Sequence, residues 1–192
     1  GLMVEFKASP VAFIAPASLP EFMKTSEDCS QHFIAASYIR LIRWASFVIT
    51  LLLPAFYIAI AVYHAEMIPT EMLLSIIDSK QSVPFSTTAE ILGMLVAFEL
   101  LQEAGLRLPN PVGQTVSIIG ALIVGQSAVD AKVISPITVI VVALAGIAGY
   151  TMPSQDVGTA LRICRFLLAA AASLAGMFGI AVGSALLLWH LC

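Results

Sequence analysis

Charge is what this sequence has least of. Asp, Glu, Lys and Arg make up 11% of its 192 residues, while hydrophobic residues make up 59%. An ordinary soluble domain carries about 25% charged residues, so this balance excludes a soluble core protein. Four stretches hold no charged residue at all: between Arg43 and Glu66, between Arg107 and Asp130, between Lys132 and Asp156, and after Arg165. Each can hold an apolar helix of about 20 residues, roughly 30 Å long, which matches the hydrocarbon core of a bilayer. The net charge of −3 gives no reason to expect a nucleic-acid partner. Cysteine is scarce as well. Cys29, Cys164 and Cys192 are scattered, form no CxxC pair and read as small apolar fillers. The sequence has no HExxH, no phosphate-binding glycine loop, no nucleophile elbow and no His/Cys cluster, so no catalytic, cofactor-binding or metal-ligating residue is expected. Gly1–Ser9 lacks the basic-then-apolar layout of a signal peptide, and the chain reads as a piece of a longer protein.

What is present predicts an all-α fold: a multi-pass transmembrane helical bundle of about five spans, preceded by the end of a soluble domain. Residues 1–30 form that soluble remnant, with an extended segment at Val11–Ala15 and an acidic stretch at Pro20–Ser30. Residues 31–192 form the membrane domain, with spans expected near 44–63, 85–104, 112–129, 134–152 and 166–189. Trp44 and Tyr63 flank the first span as interfacial aromatics do, and Pro54 at its middle predicts a kink. Arg40 and Arg43 lie three residues apart on one helix face, where lipid phosphates are possible partners.

The segment 85–104 is ambiguous, because it is long enough to span yet carries Glu90, Glu99 and Glu103. The distribution of arginine favours a crossing. Arg40, Arg43, Arg107, Arg162 and Arg165 then share one side, the cytoplasmic one by the positive-inside tendency, and Glu66, Glu71 and Asp78 face the other. An acidic side chain deep in a spanning helix needs a basic partner, a proton or water. Two readings of Glu99 follow. Glu90, Glu99 and Glu103 could line a cation path in an oligomer. Alternatively, Glu103 pairs with Arg107 at i,i+4 and Glu99 turns toward interfacial arginine. Two small-residue faces, Gly113/Ser117/Ala121/Gly125 and Ala171/Ala175/Gly179/Gly183, permit close helix packing within one subunit or between subunits. Gln114 and Gln126 are polar groups inside an apolar span, suited to interhelical hydrogen bonds.

Several blocks resemble one family, the A subunits of the spore germination (GerA-type) nutrient receptors. They are Ser26-Glu27-Asp28, Arg40-Leu41-Ile42-Arg43, Leu52-Leu53-Pro54, Glu66-Met67-Ile68-Pro69-Thr70 and Val83-Pro84-Phe85. The strongest are Glu103-Ala104-Gly105-Leu106-Arg107-Leu108-Pro109, Pro111-Val112-Gly113-Gln114 and the run Gly120–Val129. The chain departs from the family pattern at Cys29 and Ser30, where aromatics are usual, at Leu95, often acidic, and at Gln102, often basic. The resemblance implies a receptor component in the inner membrane of the bacterial spore with a cytoplasmic N-terminal region. It implies a homo-oligomer that passes monovalent cations on a nutrient signal, together with a transporter-like B subunit and a lipid-anchored C subunit. A non-conducting scaffold of the receptor, or a paralogous accessory subunit acting with the dipicolinate-release apparatus, is the alternative. A proton-coupled transporter is a weaker third reading, because no internal repeat is visible.

Overall fold

The computed structural model describes residues 2–5, 12–15, 23, 32–106, 110–153 and 155–191. Two short strands, β1 (Leu2–Glu5) and β2 (Ala12–Ala15), pair antiparallel with Leu2 opposite Ala15 and Glu5 opposite Ala12. β2 lies within the extended segment expected at Val11–Ala15; β1 was not expected. All the other regular structure described is helical.

Helix α1 (Phe33–Tyr63) buries Ala36, Arg43, Ser46, Thr50, Pro54, Ala55, Ile58 and Ala59. These recur three or four residues apart and form one inward stripe. The opposite face is apolar too, with Leu41, Val48 and Phe56 exposed. After a single 3-10 turn, Ala65–Met67, comes α2 (Thr70–Lys80), an outer helix with only Ile76 buried. Helix α3 (Thr87–Leu106) opens with Ala89 N–H donating to Ser86 Oγ. Helix α4 (Asn110–Asp130) ends in a Schellman motif: Val133 N–H bonds Ala128 O, Lys132 N–H bonds Val129 O, and Lys132 takes a φ of 55°. Helix α5 (Pro136–Gly149) starts with Ser135 as N-cap and Pro136 in its first turn.

Contacts fix the helix directions. Leu101 and Met94 of α3 meet Gly120 and Gly125 of α4, so these two helices are antiparallel. Glu90 and Phe98 meet Thr138 and Gly146, so α3 and α5 are parallel. Thr50 lies beside Gly149, and Tyr57 beside Thr138, so α1 opposes α5. The core between them is built from Ala55, Ile58, Ile91, Met94, Leu95, Phe98, Val142, Leu168, Ala169 and Ala172. Gly146 provides the space for the Phe98 ring; a Cβ there would overlap it.

Helix α6 (Gln155–Leu191) corrects an expectation. Gly176 has φ 58° and ψ −134°, a conformation that only glycine adopts readily. The chain then doubles back. A Cβ at Gly179 would collide with the Ala171 carbonyl, and one at Gly183 would stand 2.6 Å from a Leu168 methyl. Along a continuous helix those partners would be about 12 and 22 Å apart. The expected single span 166–189 is therefore two arms folded on each other. Tyr63 holds the reversal. Its hydroxyl donates toward Ser173 O at 2.8 Å and Leu174 O at 3.2 Å, two carbonyls left free at the end of the first arm, and its ring covers Gly176.

Two stretches among the described residues are long and apolar enough to cross a membrane, Phe33–Tyr63 and Val157–His190, and the second contains the reversal. The remaining expected spans differ from that standard. α3 carries its three glutamates. The expected span 134–152 is shortened to the 14 residues of α5, about 21 Å, because Ser135-Pro136 starts the helix and Tyr150 closes it with a tightened turn. The described part of α4, Ile119–Asp130, is a shorter apolar stretch.

Candidate functional site

Helix α3 carries two acidic sites, and a different part of the bundle completes each. Glu90 points inward, and its side chain is wholly buried. Its Oε2 accepts from the Ser135 backbone N–H at 2.8 Å and from Thr138 Oγ1 at 3.2 Å. The carboxylate therefore faces the positive end of α5, whose first N–H groups lack helical partners. Lys80, at the end of α2, stands 3.5 Å from Oε1 and also donates to Thr87 Oγ1. The Tyr57 hydroxyl is buried beside this group, next to Thr138 and Ser135.

Nine residues on, or about 13 Å along the helix, Glu99 meets the first arm of α6. Arg165 Nη2 donates to Oε2 at 3.2 Å, and Arg162 Nη1 to Oε1 at 3.4 Å. Arg165 is 1% exposed, whereas the Glu99 side chain keeps 35% of its surface open. The arginines are three residues apart on one helical face, which lets both reach the same carboxylate. Beside them lies a cavity of about 10 Å³ lined by Thr50, Gln102, Gly146, Gly149, Gly158, Leu161, Arg162 and Arg165.

The structure thus separates residues that the sequence grouped. Glu90 and Glu99 occupy different sites. Glu103 is exposed and has interactions of its own. Arg107 lies outside the described residues, as do the surroundings of Gly113 and the side chains of Gln114 and Ser117. Ala121 packs against the core, and Gly125 is buried against Val139 and Met94. Gly179 and Gly183 pack the second arm of α6 onto the first, while Ala175 is exposed. Gln126 is exposed. Arg43 is buried and donates to the Met23 carbonyl, which ties Met23 to α1. Arg40 is partly buried. Sequence reasoning missed Lys80, Ser135 and Thr138 as partners of Glu90; the Ser-Pro start of α5 was the available signal. Among the described residues no group of three His, Cys, Asp or Glu side chains could hold a metal ion.

Comparison with known proteins gives a consistent answer. Residues 2–192 match the family described as Bacillus/Clostridium GerA spore germination protein. The chain is 42% identical over 184 residues to spore germination protein KA of Bacillus subtilis, covering 96% of this chain and 34% of that protein. It is 40% identical over 183 residues to spore germination protein B1 of the same organism, covering 95% of this chain and 38% of the relative. It is 39% identical over 184 residues to the B. subtilis membrane protein YfkQ, described as uncharacterized, covering 96% of this chain and 36% of that protein. The chain spans about a third of the length of these relatives. No solved structure matches. The match runs over nearly the whole chain: this chain belongs to the GerA family of spore germination proteins.

Proposed function

We propose that this chain is the membrane portion of a germinant-receptor A subunit, seated in the spore's inner membrane with its N-terminal region cytoplasmic. In this reading α1, α3, α4, α5 and the first arm of α6 cross the bilayer in alternating directions. The second arm of α6 turns back toward the arginine side. The partners are a transporter-like B subunit, a lipid-anchored C subunit and further copies of the chain. The work of the segment is to assemble the receptor and carry a nutrient signal between helices. One observation carries this: Glu99 is shared between Arg162 and Arg165, which joins α3 to α6 through charge. A carboxylate so neutralised is a poor lining for a cation path, and a shared ion cluster between two helices is a natural element for transmitting movement.

A second reading, conduction of monovalent cations by the assembled oligomer, draws on the open third of the Glu99 side chain, which leaves one side of the carboxylate reachable by water. Potassium release from spores carrying full-length protein with Glu99→Gln, at matched receptor levels, separates the two. Normal ion preference with delayed onset supports the signalling role. Altered ion preference or a lowered release rate after a normal onset supports conduction.

A further inference from the structure

Helix α2 has little hold of its own on the bundle, yet its last residue completes the sealed Glu90 site. Of its 11 residues only Ile76 is buried, and Met72, Leu74 and Ile77 are exposed. An isolated helix of this length is marginal in water. Its N-cap, Pro69, supplies no side-chain hydrogen bond. The connection to α3, Gln81–Ser86, is exposed apart from Val83. Among the described residues, Lys80 carries the only α2 side chain that bonds to another element. An element with so few buried contacts and such exposed connections sits at the low end of local stability and can open while the rest stays folded.

Lys80 changes the consequence of that opening. Its side chain keeps 23% of its surface open and that of Glu90 keeps none, so the ammonium stands between the carboxylate and water. Glu90 Oε1 is 3.5 Å from Lys80, while Oε2 accepts from the Ser135 N–H and from Thr138 Oγ1. One carboxylate therefore joins the end of α2 to the start of α5. With α2 docked, that carboxylate has a cation. With α2 lifted, it is left buried without one, a state costly enough that turning outward to water is favoured. Turning outward gives up the Ser135 N–H, which has no partner within α5. The end of α2 and the start of α5 thus have two joint arrangements, one docked and one released.

We propose that α2 is a detachable strap latched by Lys80 onto Glu90, and that its docking controls the start of α5. The device is independent of whether the Glu99 cluster transmits a signal or lines a cation path. The test is residue-level hydrogen exchange of the full-length protein in lipid nanodiscs. In the wild type, the hydrogen-bonded amides from Leu73 to Gln81 are expected to exchange through one shared opening, with the Ser135 amide following it. Lys80→Met is expected to speed exchange in α2 and at Ser135 by about 10-fold or more, with the centre of α1 unchanged. Combining Lys80→Met with Glu90→Gln removes both charges. It is expected to return α2 most of the way to the wild-type rate, because no charge is then left buried. Unchanged exchange in α2 on Lys80→Met overturns the latch. Faster exchange in α2 with no change at Ser135 overturns the link to α5. A double variant that exchanges faster than Lys80→Met alone also overturns the proposal, because Lys80 then acts by packing rather than by charge. Should Lys80→Met fold poorly, the wild type alone decides: α2 amides that open below the free energy of global unfolding support a detachable strap, and α2 amides that open only with the whole bundle refute it.

Discussion

The two ends of this helical bundle solve the same problem by different means. At the end near Tyr63, polar groups inside the bundle are matched to helix termini. Glu90 takes the Ser135 N–H at the start of α5, and Tyr63 takes the carbonyls of Ser173 and Leu174 where the first arm of α6 ends. At the arginine end, charge is matched to charge, and polar atoms are left over around a cavity. Both ends use glutamates of one helix, so residue type does not distinguish them. Enclosure does: Glu90 is sealed, whereas Glu99 is partly open. A sealed carboxylate depends on every partner, while a partly open one can fall back on water.

The largest expected effect probes that contrast directly. Lys80→Met leaves the Glu90 carboxylate buried without its cation and is expected to cost about 3 kcal/mol or more of stability. Glu99→Gln leaves Arg165 buried without this carboxylate but acts at a partly open position, and is expected to cost about 2 kcal/mol, less than Lys80→Met. Chemical denaturation of the full-length protein in detergent or lipid measures both. Equal costs would end the distinction between sealed and open sites. Adding Glu90→Gln to Lys80→Met is expected to recover part of the loss, and the double-mutant cycle isolates the pair.

Next in size is Gly176→Ala. The side chain meets both an unfavourable backbone conformation and the Tyr63 ring, 3.0 Å away, for a cost of about 2–3 kcal/mol. The second arm of α6 is expected to detach first, seen as faster labelling of a cysteine placed at Ile180, which packs against the core, while the Glu99 cluster keeps its stability. Unchanged labelling would mean that the reversal does not need glycine. Tyr63→Phe removes the hydroxyl from the same turn and is expected to cost about 1 kcal/mol, with labelling raised less than by Gly176→Ala. The smallest effect has the opposite sign. Lys132 adopts positive φ at the end of α4, so Lys132→Gly is expected to stabilise by about 0.5–1 kcal/mol, read as a small rise in midpoint.

Much of the helical layout was legible because long, largely apolar stretches become helices even where a few charges interrupt them. The acidic helix expected at 85–104 appears as Thr87–Leu106, displaced by only two residues at each end. The expected 134–152 was too long because Ser135-Pro136 specifies a helix start more sharply than hydropathy does. The reversal at Gly176 was invisible. Leu174-Ala175-Gly176-Met177 continues an apolar run without proline or polar residues, and glycine in such a run commonly serves close packing. The Gly176 backbone angles and the Tyr63 ring and hydroxyl, far away in sequence, show that this glycine carries the turn.

The same division holds for the candidate site. Sequence by itself determined that the chain is helical and apolar, that it carries acids on one helix and arginines flanking the charge-free stretches, and to which family it belongs, because these depend on composition, spacing and residue identity along the chain. Tertiary structure alone decided that Lys80 serves Glu90, that Arg162 and Arg165 serve Glu99, and that one long apolar helix is two. Those outcomes depend on which helix ends meet across the bundle, and helical periodicity specifies a face without naming the neighbour that covers it.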